Sequence, residues 1–242
     1  MTRVYLAVGH GRKPDGTYDP GAVSADGRWS EQKAGDVIVA EAARVLRARG
    51  IEVRDEANKD DPNFAGTSAA ANVWRADCVV SVHHDWKLAP EGAFGHWYAP
   101  KSKPLADAIQ TAVGEAGFPL RPDWHKPRTD LSLLKRTQAP VVLYEVGRIG
   151  QASIDEPAEL QAMGRAIAAG IARYLGLETE EVDDMTDKER EMLQYAAMWA
   201  LEAKTDALIA RYMAEGDAEA AGKIRAARPE AVKYWRERWG VR

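Results

Sequence analysis

The stretch VYLAVGHGRKPDGTYDPGA, residues 4–22, predicts a buried strand that is followed at once by a histidine between two glycines. Its first five residues, Val4 to Val8, predict a short buried strand, because they form an apolar run of strand length that a glycine ends. GHG follows at once, and the glycines on both sides of His10 permit backbone conformations that a Cβ would forbid. The imidazole of His10 is therefore displayed at the end of a strand, where it is either a turn residue or a ligand.

Strand-like and helix-like segments alternate through the first 177 residues. Apolar runs bounded by Gly, Pro or Asp predict strands at residues 4–8, 51–53, 78–82, 93–99 and 141–144. Apolar residues at helical spacing predict helices over residues 34–46, 105–113 and 160–174. This alternation predicts an α/β fold, a mostly parallel twisted sheet with helices on both faces.

The strand signal stops near Thr179, and the rest of the chain predicts an all-helical appendage. Thr186 and Glu189 have the spacing of a capping box, and an apolar helical face continues from there to Gly216. We therefore expect an α/β domain over residues 1–177, an acidic linker with the start of the helical region over 178–191, and a helical region over 192–242. Residues 178–191 carry a summed charge of −6, and residues 223–242 carry +5.

The composition is that of an ordinary globular protein. A chain of 242 residues, 45% hydrophobic and 29% charged, can bury a full core. No apolar run reaches the roughly 18 residues of a membrane span, and the N-terminal apolar run is too short for a signal peptide. The net charge of −4 gives no indication of a nucleic-acid partner. The single cysteine, Cys78, excludes an intramolecular disulfide, and we expect a buried, inert thiol within CVVSV.

Four polar side chains fall on one predicted edge of the sheet. His10 follows the first strand, Glu31 opens the first helix behind Ser30, His83 follows CVVSV, and Glu145 follows VVLY. Binding sites in open parallel sheets form at the carboxyl ends of the strands. Two imidazoles and one carboxylate are a catalytic zinc ligand set that leaves the fourth position to water. A second carboxylate can then take the proton from that water and return it to a leaving group.

Each of these residues also has a simpler interpretation. His10 alone is typical of a turn, and Glu31 alone is typical of a first helical turn, where the helix dipole favours an acid. His84 competes with His83, but successive strand side chains point to opposite faces, so only one of the two can face the site. Glu145 favours function even by itself, because a carboxylate beside an apolar strand in a covered sheet is costly to bury.

The other polar candidates have structural explanations. His96 lies in the strand-like GHWYA, and His125 lies in a loop that carries Pro and Trp, so both are interpreted as core or surface residues. His125 is kept as a candidate substrate contact. Asp19 predicts a turn before Pro20 and Gly21 that fixes the loop between the first strand and the first helix.

With these positions together, the chain resembles the zinc-dependent N-acetylmuramoyl-L-alanine amidases of the amidase-3 family, which occur in phage endolysins and bacterial autolysins. The matching pieces follow the family's order across nearly all of the first predicted domain: GHG with DPGA downstream, the glutamate of SEQ, NVWRADCVVSVHHD, and APVVLYEVG. The resemblance implies that His10, Glu31 and His83 are Zn²⁺ ligands and that Glu145 is the catalytic carboxylate. It also selects the first of the two adjacent histidines, since the family's serine-x-histidine matches residues 81–83.

Two residues depart from the family's pattern. Asp85 stands where the family usually has asparagine, and Arg148 stands where an aromatic residue often follows the glutamate. Neither is an implied metal ligand, so the departures concern substrate contacts, for which Asp85, His125 and Arg148 are the candidates. The segment 89–104 is short for the autoinhibitory helix of regulated bacterial members, which implies an open, endolysin-like enzyme.

The resemblance implies a peptidoglycan hydrolase that cleaves the amide between N-acetylmuramic acid and L-alanine with zinc-activated water. We expect a phage endolysin, made soluble in the host cytoplasm without a signal peptide and acting on the cell wall after release through a holin. The same ligand set also suits a zinc carboxypeptidase or another amidohydrolase acting on stem peptides. A catalytically inert wall-binding protein is the non-enzymatic alternative.

The aromatic and basic C-terminal end has two interpretations. Its relevant residues are Lys233, Tyr234, Trp235, Arg236, Arg238, Trp239 and Arg242. They could bind an anionic wall polymer or a membrane surface, or they could pack onto the α/β domain or onto a second copy in a homodimer. Packing is favoured, because aromatic residues at helical spacing usually belong to a core.

Overall fold

The computed structural model describes residues 2–12, 16–56, 66–151 and 154–177, together with positions 206, 209, 210, 213 and 222. The chain divides by spatial contacts into two units, Met1–Thr179 and Glu180–Arg242. The five described positions of the second unit are helical. The other residues of the predicted acidic linker and helical appendage, with the capping box at Thr186, lie outside the described residues.

Strands and helices alternate in the described part of the first unit. The strands are β1 (Arg3–Val8), β2 (Gly11–Arg12), β3 (Tyr18–Asp19), β4 (Glu52–Asp55), β5 (Cys78–Asp85), β6 (Phe94–Trp97), β7 (Lys126–Pro127) and β8 (Val141–Arg148). The α-helices are α1 (Glu31–Ala48), α2 (Thr67–Trp74), α3 (Lys103–Glu115), α4 (Ser132–Arg136) and α5 (Pro157–Tyr174). The three helices predicted from their spacing are α1, α3 and α5.

Six strands form one sheet in the order β4-β1-β5-β8-β6-β7, and β2 and β3 form a separate antiparallel hairpin. The neighbours β4, β1, β5 and β8 all run parallel. Strand β6 runs antiparallel to β8, and β7 runs parallel to β6. The predicted α/β fold with a mostly parallel sheet is confirmed, and β6 and β7 are its reversed edge.

Helices cover both faces of this sheet. Because side chains alternate along a strand, β1 contributes Leu6 to one core and Tyr5 to the other. The core that contains Leu6 includes Ile38 of α1 and further residues of α3 and α5. The smaller core that contains Tyr5 includes Trp74 of α2 and Leu134 of α4. We refer to these faces as the α1 face and the α2 face.

Local contacts fix where α1 begins and bring its first residue to the strand ends. The Ser30 hydroxyl caps the helix by accepting a hydrogen bond from the Lys33 amide at 3.2 Å. The Glu31 amide donates to the Ala22 carbonyl at 2.8 Å, which ties the helix start to the preceding loop. Among the described residues, no helix is long and apolar enough to cross a membrane.

Strands β5 and β8 continue beyond their predicted ends. We expected His83 and Glu145 to follow their strands, whereas both lie inside them and face each other in the parallel register. The register shifts between His83 and Asp85, so regular pairing breaks just past the two residues. Both residues therefore occupy the last regularly paired position of the two strands, close to the carboxyl edge of the sheet.

Candidate metal centre

Three chain segments converge at the carboxyl edge of the sheet. His10 comes two residues after the end of β1, Glu31 is the first residue of α1, and His83 lies near the end of β5. In a parallel sheet the strand ends and the helix starts meet at this edge, which explains why residues so far apart in sequence become neighbours.

The ligand-type atoms of these residues lie within 4.8 Å of one another. Nε2 of His10 is 3.3 Å from Oε2 of Glu31, and Nδ1 of His83 is 2.9 Å from Oε1 of the same carboxylate. Atoms bound to one tetrahedral zinc ion at about 2.0–2.1 Å lie about 3.3 Å apart. The observed spacing fits a shared divalent ion, and two imidazoles with a carboxylate have the donor chemistry that zinc prefers.

Backbone groups hold the carboxylate of Glu31 in place. The residue is 4% exposed, its Oε2 accepts from the Ala22 amide at 3.1 Å, and its Oε1 accepts from the His84 amide at 3.1 Å. Both carboxylate oxygens of Glu31 are thus oriented by backbone amides before any ion binds. A carboxylate fixed in this way loses little freedom when it coordinates a metal.

Two glycines of the sequence motifs are required by close packing around the ligands. A Cβ on Gly9 would lie 2.5 Å from the His83 ring, and a Cβ on Gly21 would lie 2.6 Å from Oε2 of Glu31. His10 itself has a φ of 65°, a left-handed conformation that is uncommon for residues other than glycine. Such strain persists only where the surroundings enforce it, and it is typical of functional sites.

Asp19 supports the first histidine. Its Oδ2 lies 3.2 Å from Nδ1 of His10, and its Oδ1 accepts from the Gly21 amide at 3.0 Å. The predicted turn is confirmed by the second contact, but the first was not foreseen. A carboxylate on the second ring nitrogen fixes the orientation and tautomer of a metal-binding histidine. The hairpin that pairs Gly11 with Asp19 places this carboxylate beside His10.

The electrostatics of the group favour a bound cation. Burial alone would raise the pKa of Glu31, but the hydrogen bonds from His10 and His83 outweigh it and hold that pKa far below its usual range. The hydrogen bond to Glu31 is the main cause that raises the pKa of His10 to about 9. Negative charge is therefore fixed at the centre of the group, where a proton or a metal ion compensates it.

Glu145 is the second acidic group at this edge. It faces His83 in the register of β5 and β8, and its Oε2 is buried without a hydrogen-bond partner in the described residues. Loss of hydration raises its pKa to about 7. A carboxyl group with such a pKa can both accept and return a proton near neutral pH.

The sequence matches one model of a protein family over most of its length. The N-acetylmuramoyl-L-alanine amidase model, amidase-3, matches residues 4–174, which is most of the chain and all of the sheet except its first residue, Arg3. The chain belongs to the amidase-3 family. Comparison with curated proteins gives no match.

Solved structures of similar fold include bacterial amidases and an endolysin domain. The catalytic domain of CwlV, an N-acetylmuramoyl-L-alanine amidase from Bacillus (Paenibacillus) polymyxa var. colistinus, matches with a TM-score of 0.64 and 22% identity over 74% of this chain and 100% of that one. Ami1 from Mycobacterium smegmatis matches with a TM-score of 0.63 and 24% identity over 73% and 98%. The catalytic domain of the CD27L endolysin targeting Clostridia difficile matches with a TM-score of 0.59 and 16% identity over 72% and 98%.

Two of the candidate substrate contacts of this amidase-3 domain lie at the same edge, each in an ion pair. Oδ2 of Asp85 accepts from Nη1 of Arg121 at 2.8 Å. Arg148 pairs with the Glu91 carboxylate, and its Nη1 also lies 3.4 Å from the Lys87 carbonyl oxygen. The contacts of Arg148 attach the loop after β5 to the end of β8, and that of Asp85 attaches the end of β5 to the segment after α3. Neither residue has a hydrogen bond or ion pair to His10, Glu31 or His83 within the described part of the chain.

The third candidate, His125, is not brought into the site. Its Nδ1 accepts from the Gly95 amide at 3.1 Å, and its Nε2 lies 3.1 Å from Oδ1 of Asp107 on α3. Gly95 pairs with Tyr144, whose side chain belongs to the α1 face, whereas Glu145 points to the α2 face. Both ring nitrogens are engaged on the face of the sheet opposite Glu145, which agrees with the interpretation of His125 as a core residue and gives no support to a substrate contact.

The other histidine of the adjacent pair and the lone cysteine are structural. His84 is 3% exposed, and burial lowers its pKa to about 4. The choice of His83 as the site histidine agrees with this, since His84 points to the opposite face and contributes only its amide to Glu31. Cys78 is buried as predicted, and burial raises its thiol pKa to about 12.

Proposed function

We propose that this amidase-3 domain hydrolyses the amide between N-acetylmuramic acid and the first L-alanine of the peptidoglycan stem, with Zn²⁺ held by His10, Glu31 and His83. The observation that carries the proposal is the convergence of these three ligand-type side chains beside Glu145. A family match over residues 4–174 supplies the substrate class.

Zinc is the metal that the donor set favours. Two imidazole nitrogens and a carboxylate oxygen are a typical catalytic zinc set, while magnesium and calcium prefer oxygen ligands alone. When bound, zinc supplies Lewis acidity that polarises the scissile carbonyl and acidifies water. Asp19 would keep the Nδ1 proton of His10 in place, so that Nε2 presents its lone pair toward the ion.

Glu145 would carry the proton through the reaction. Its carboxylate takes the proton of the attacking water as the new C–O bond forms at the lactyl carbonyl. The same group then gives that proton to the alanine nitrogen while the C–N bond breaks, so that a carboxylic acid and a free amine leave. A pKa of about 7 keeps either direction of transfer close to balanced at neutral pH.

Product analysis of digested peptidoglycan tests this function. The zinc-loaded full chain should release stem peptides with a free N-terminal alanine and leave the glycan intact, as seen by mass spectrometry. Glu145→Gln should bind zinc but lose at least about a hundredfold in rate, whereas Glu115→Gln, an exposed residue on α3 paired with Arg173, should behave like the wild type. Shortened stems still attached to glycan would indicate a carboxypeptidase, and wall binding without any product would indicate an inert binding protein.

We also propose that the enzyme works as an endolysin that reaches the wall from the host cytoplasm through a holin. The segment 89–104 supports an unregulated site, because before α3 begins at Lys103 it contains β6 and one 3-10 turn and no blocking helix. Co-expression with a holin should cause rapid lysis, and expression of the chain alone should not. Lysis without a holin would contradict this route.

For residues 192–242 we propose that they form a helical region that packs onto the α/β domain or onto a second copy in a homodimer, rather than binding the wall. Sedimentation of the full chain gives the oligomeric state, and a cell-wall pull-down of Trp235→Ala/Trp239→Ala gives the binding role. Dissociation or aggregation of the variant supports packing. A stable monomer that no longer binds walls supports contact with an anionic polymer or a membrane surface.

A further inference from the structure

A cavity of about 340 Å³ borders the candidate metal centre on the α2 face. Its lining includes His83 and Ser81 of β5, Leu143 of β8, Ser68 of α2, and Ser132 and Leu133 of α4. Because His83 belongs both to this lining and to the ligand group, an occupant of the cavity would lie directly beside an amide held at the metal. The volume is at the lower end of the range for small-ligand sites.

The chemistry of the lining indicates an uncharged occupant. Apart from His83, the described residues that line the cavity are aliphatic or carry a hydroxyl group. Burying a carboxylate there would leave it without a cation, which is costly. A pyranose ring combines apolar C–H faces with hydroxyl and acetamido groups, so it matches a lining of leucine and serine side chains.

The opposite side of Glu145 has a different character. Phe94 of β6 pairs with Glu145 of the neighbouring strand β8, so both side chains lie on the α2 face. His96 lies two residues further along β6, on the same face, and pairs with Lys126 of β7. The side chain of Lys126 therefore also emerges on the α2 face. Its ammonium lies 4.8 Å from the ring centroid of Trp124, which is 45% exposed. Beyond it, Arg128 makes a two-point ion pair with the exposed Asp130 at 2.8 and 2.7 Å. Cationic hydrogen-bond donors thus occur on this side of the site.

We infer that the substrate has one orientation across the metal centre: the uncharged muramoyl half occupies the cavity between β5, α2 and α4, and the anionic stem peptide lies over β6 and β7 toward Lys126 and Arg128. This inference deepens the proposed function and rests on it. It assigns Ser68, Ser132 and Lys126 as specificity-determining residues, and none of them takes part in the proton transfer.

A pair of synthetic substrates separates the two halves. One is N-acetylmuramoyl-L-alanyl-D-isoglutamine, and the other is D-lactyl-L-alanyl-D-isoglutamine, which keeps the scissile amide and lacks the sugar. Ser132→Trp should fill the cavity and lower kcat/KM for the muramoyl substrate at least about tenfold, with less than about a twofold change for the lactyl substrate. Lys135→Trp, on the same helix but outside the cavity lining, is the matched control and should change neither value. Ser68→Leu tests the same cavity from α2.

The cationic side is tested by substrate charge. Lys126→Glu should raise KM about threefold or more for a stem with D-isoglutamate relative to one with D-isoglutamine, and Lys103→Glu on α3 should not. Wild-type turnover of the lactyl substrate shows that a variant is folded and active.

Two results would overturn this orientation while leaving the proposed function intact. The first is that Ser132→Trp and Ser68→Leu both lower kcat/KM equally for the two substrates, or lower it for neither. The second is that Lys126→Glu leaves the relative KM for the D-isoglutamate and D-isoglutamine stems unchanged. If the zinc-loaded wild type hydrolyses neither synthetic substrate nor peptidoglycan, the proposed function fails, and the orientation fails with it.

Discussion

Replacing Glu145 by glutamine should make the metal-free protein more stable at alkaline pH. The carboxyl group of Glu145 has lost much of its hydration, and this raises its pKa to about 7 from the ordinary 4.5. Between these two pH values the unfolded chain releases the carboxyl proton while the folded chain retains it. The free energy of unfolding therefore falls as the pH rises through this window.

The size of the effect follows from the pKa difference. Each unit corresponds to about 1.4 kcal/mol, so ionisation of Glu145 costs the folded state up to about 3 kcal/mol above pH 7. Glutamine has nearly the same shape and cannot ionise, so the variant avoids this loss. Because Oε2 has no hydrogen-bond partner in the described residues, glutamine disrupts no recorded contact of that atom.

Urea unfolding in the presence of a chelator measures this difference. Wild type and Glu145→Gln should have similar free energies of unfolding at pH 5, and the variant should be more stable by up to about 3 kcal/mol at pH 8. Glu115→Gln, which changes an exposed glutamate, should follow the wild type at both pH values. A Glu145→Gln variant no more stable than wild type at pH 8 would refute the idea that a poorly hydrated carboxylate lies at this position.

Three further predictions concern the residues around the site. Asp19→Asn should weaken zinc binding about 10-fold to 100-fold in competition with a chelating dye, because the amide orients His10 less well; unchanged affinity would show that this contact is unimportant. Gly9→Ala should lower both the zinc affinity and the Tm, since its Cβ would lie 2.5 Å from the His83 ring; a wild-type Tm and affinity would count against that packing. Cys78 should resist a thiol reagent at pH 8 in the native protein and react after unfolding, and fast native labelling would contradict its burial and its pKa of about 12.

The parts of the fold that the sequence predicts are those with a long, regular pattern. Helices α1 and α5 each have 18 residues, so their apolar spacing repeats over several turns. Helices α2 and α4 have 8 and 5 residues, and β2 and β3 have 2 each, too few for any period to show. The reversal of β6 is also absent from the sequence pattern, because a short strand has the same side-chain alternation in either direction.

The three candidate metal ligands were predictable from the sequence, whereas the contact between Asp19 and His10 that supports them was not. Sites in open parallel sheets form at the carboxyl ends of the strands, and this rule needs only the residues that end strands or begin helices. It therefore placed His10, Glu31 and His83 together. Asp19 reaches His10 through the pairing of β2 with β3, and strands of two residues each are too short for a sequence pattern to predict their pairing. The side of the sheet that His125 contacts was not predictable, because a loop residue has no side-chain alternation that indicates a face.

Anomalous diffraction at the zinc edge, from crystals of the full chain grown with zinc, shows whether His10, Glu31 and His83 bind the ion. We expect one strong peak about 2.0–2.2 Å from a ring nitrogen of His10, a carboxylate oxygen of Glu31 and a ring nitrogen of His83, with the Glu145 carboxyl group beside the remaining coordination position. A map without a peak among these three side chains, or with the zinc bound by other residues, would contradict the assignment of this edge as a metal-dependent hydrolytic site.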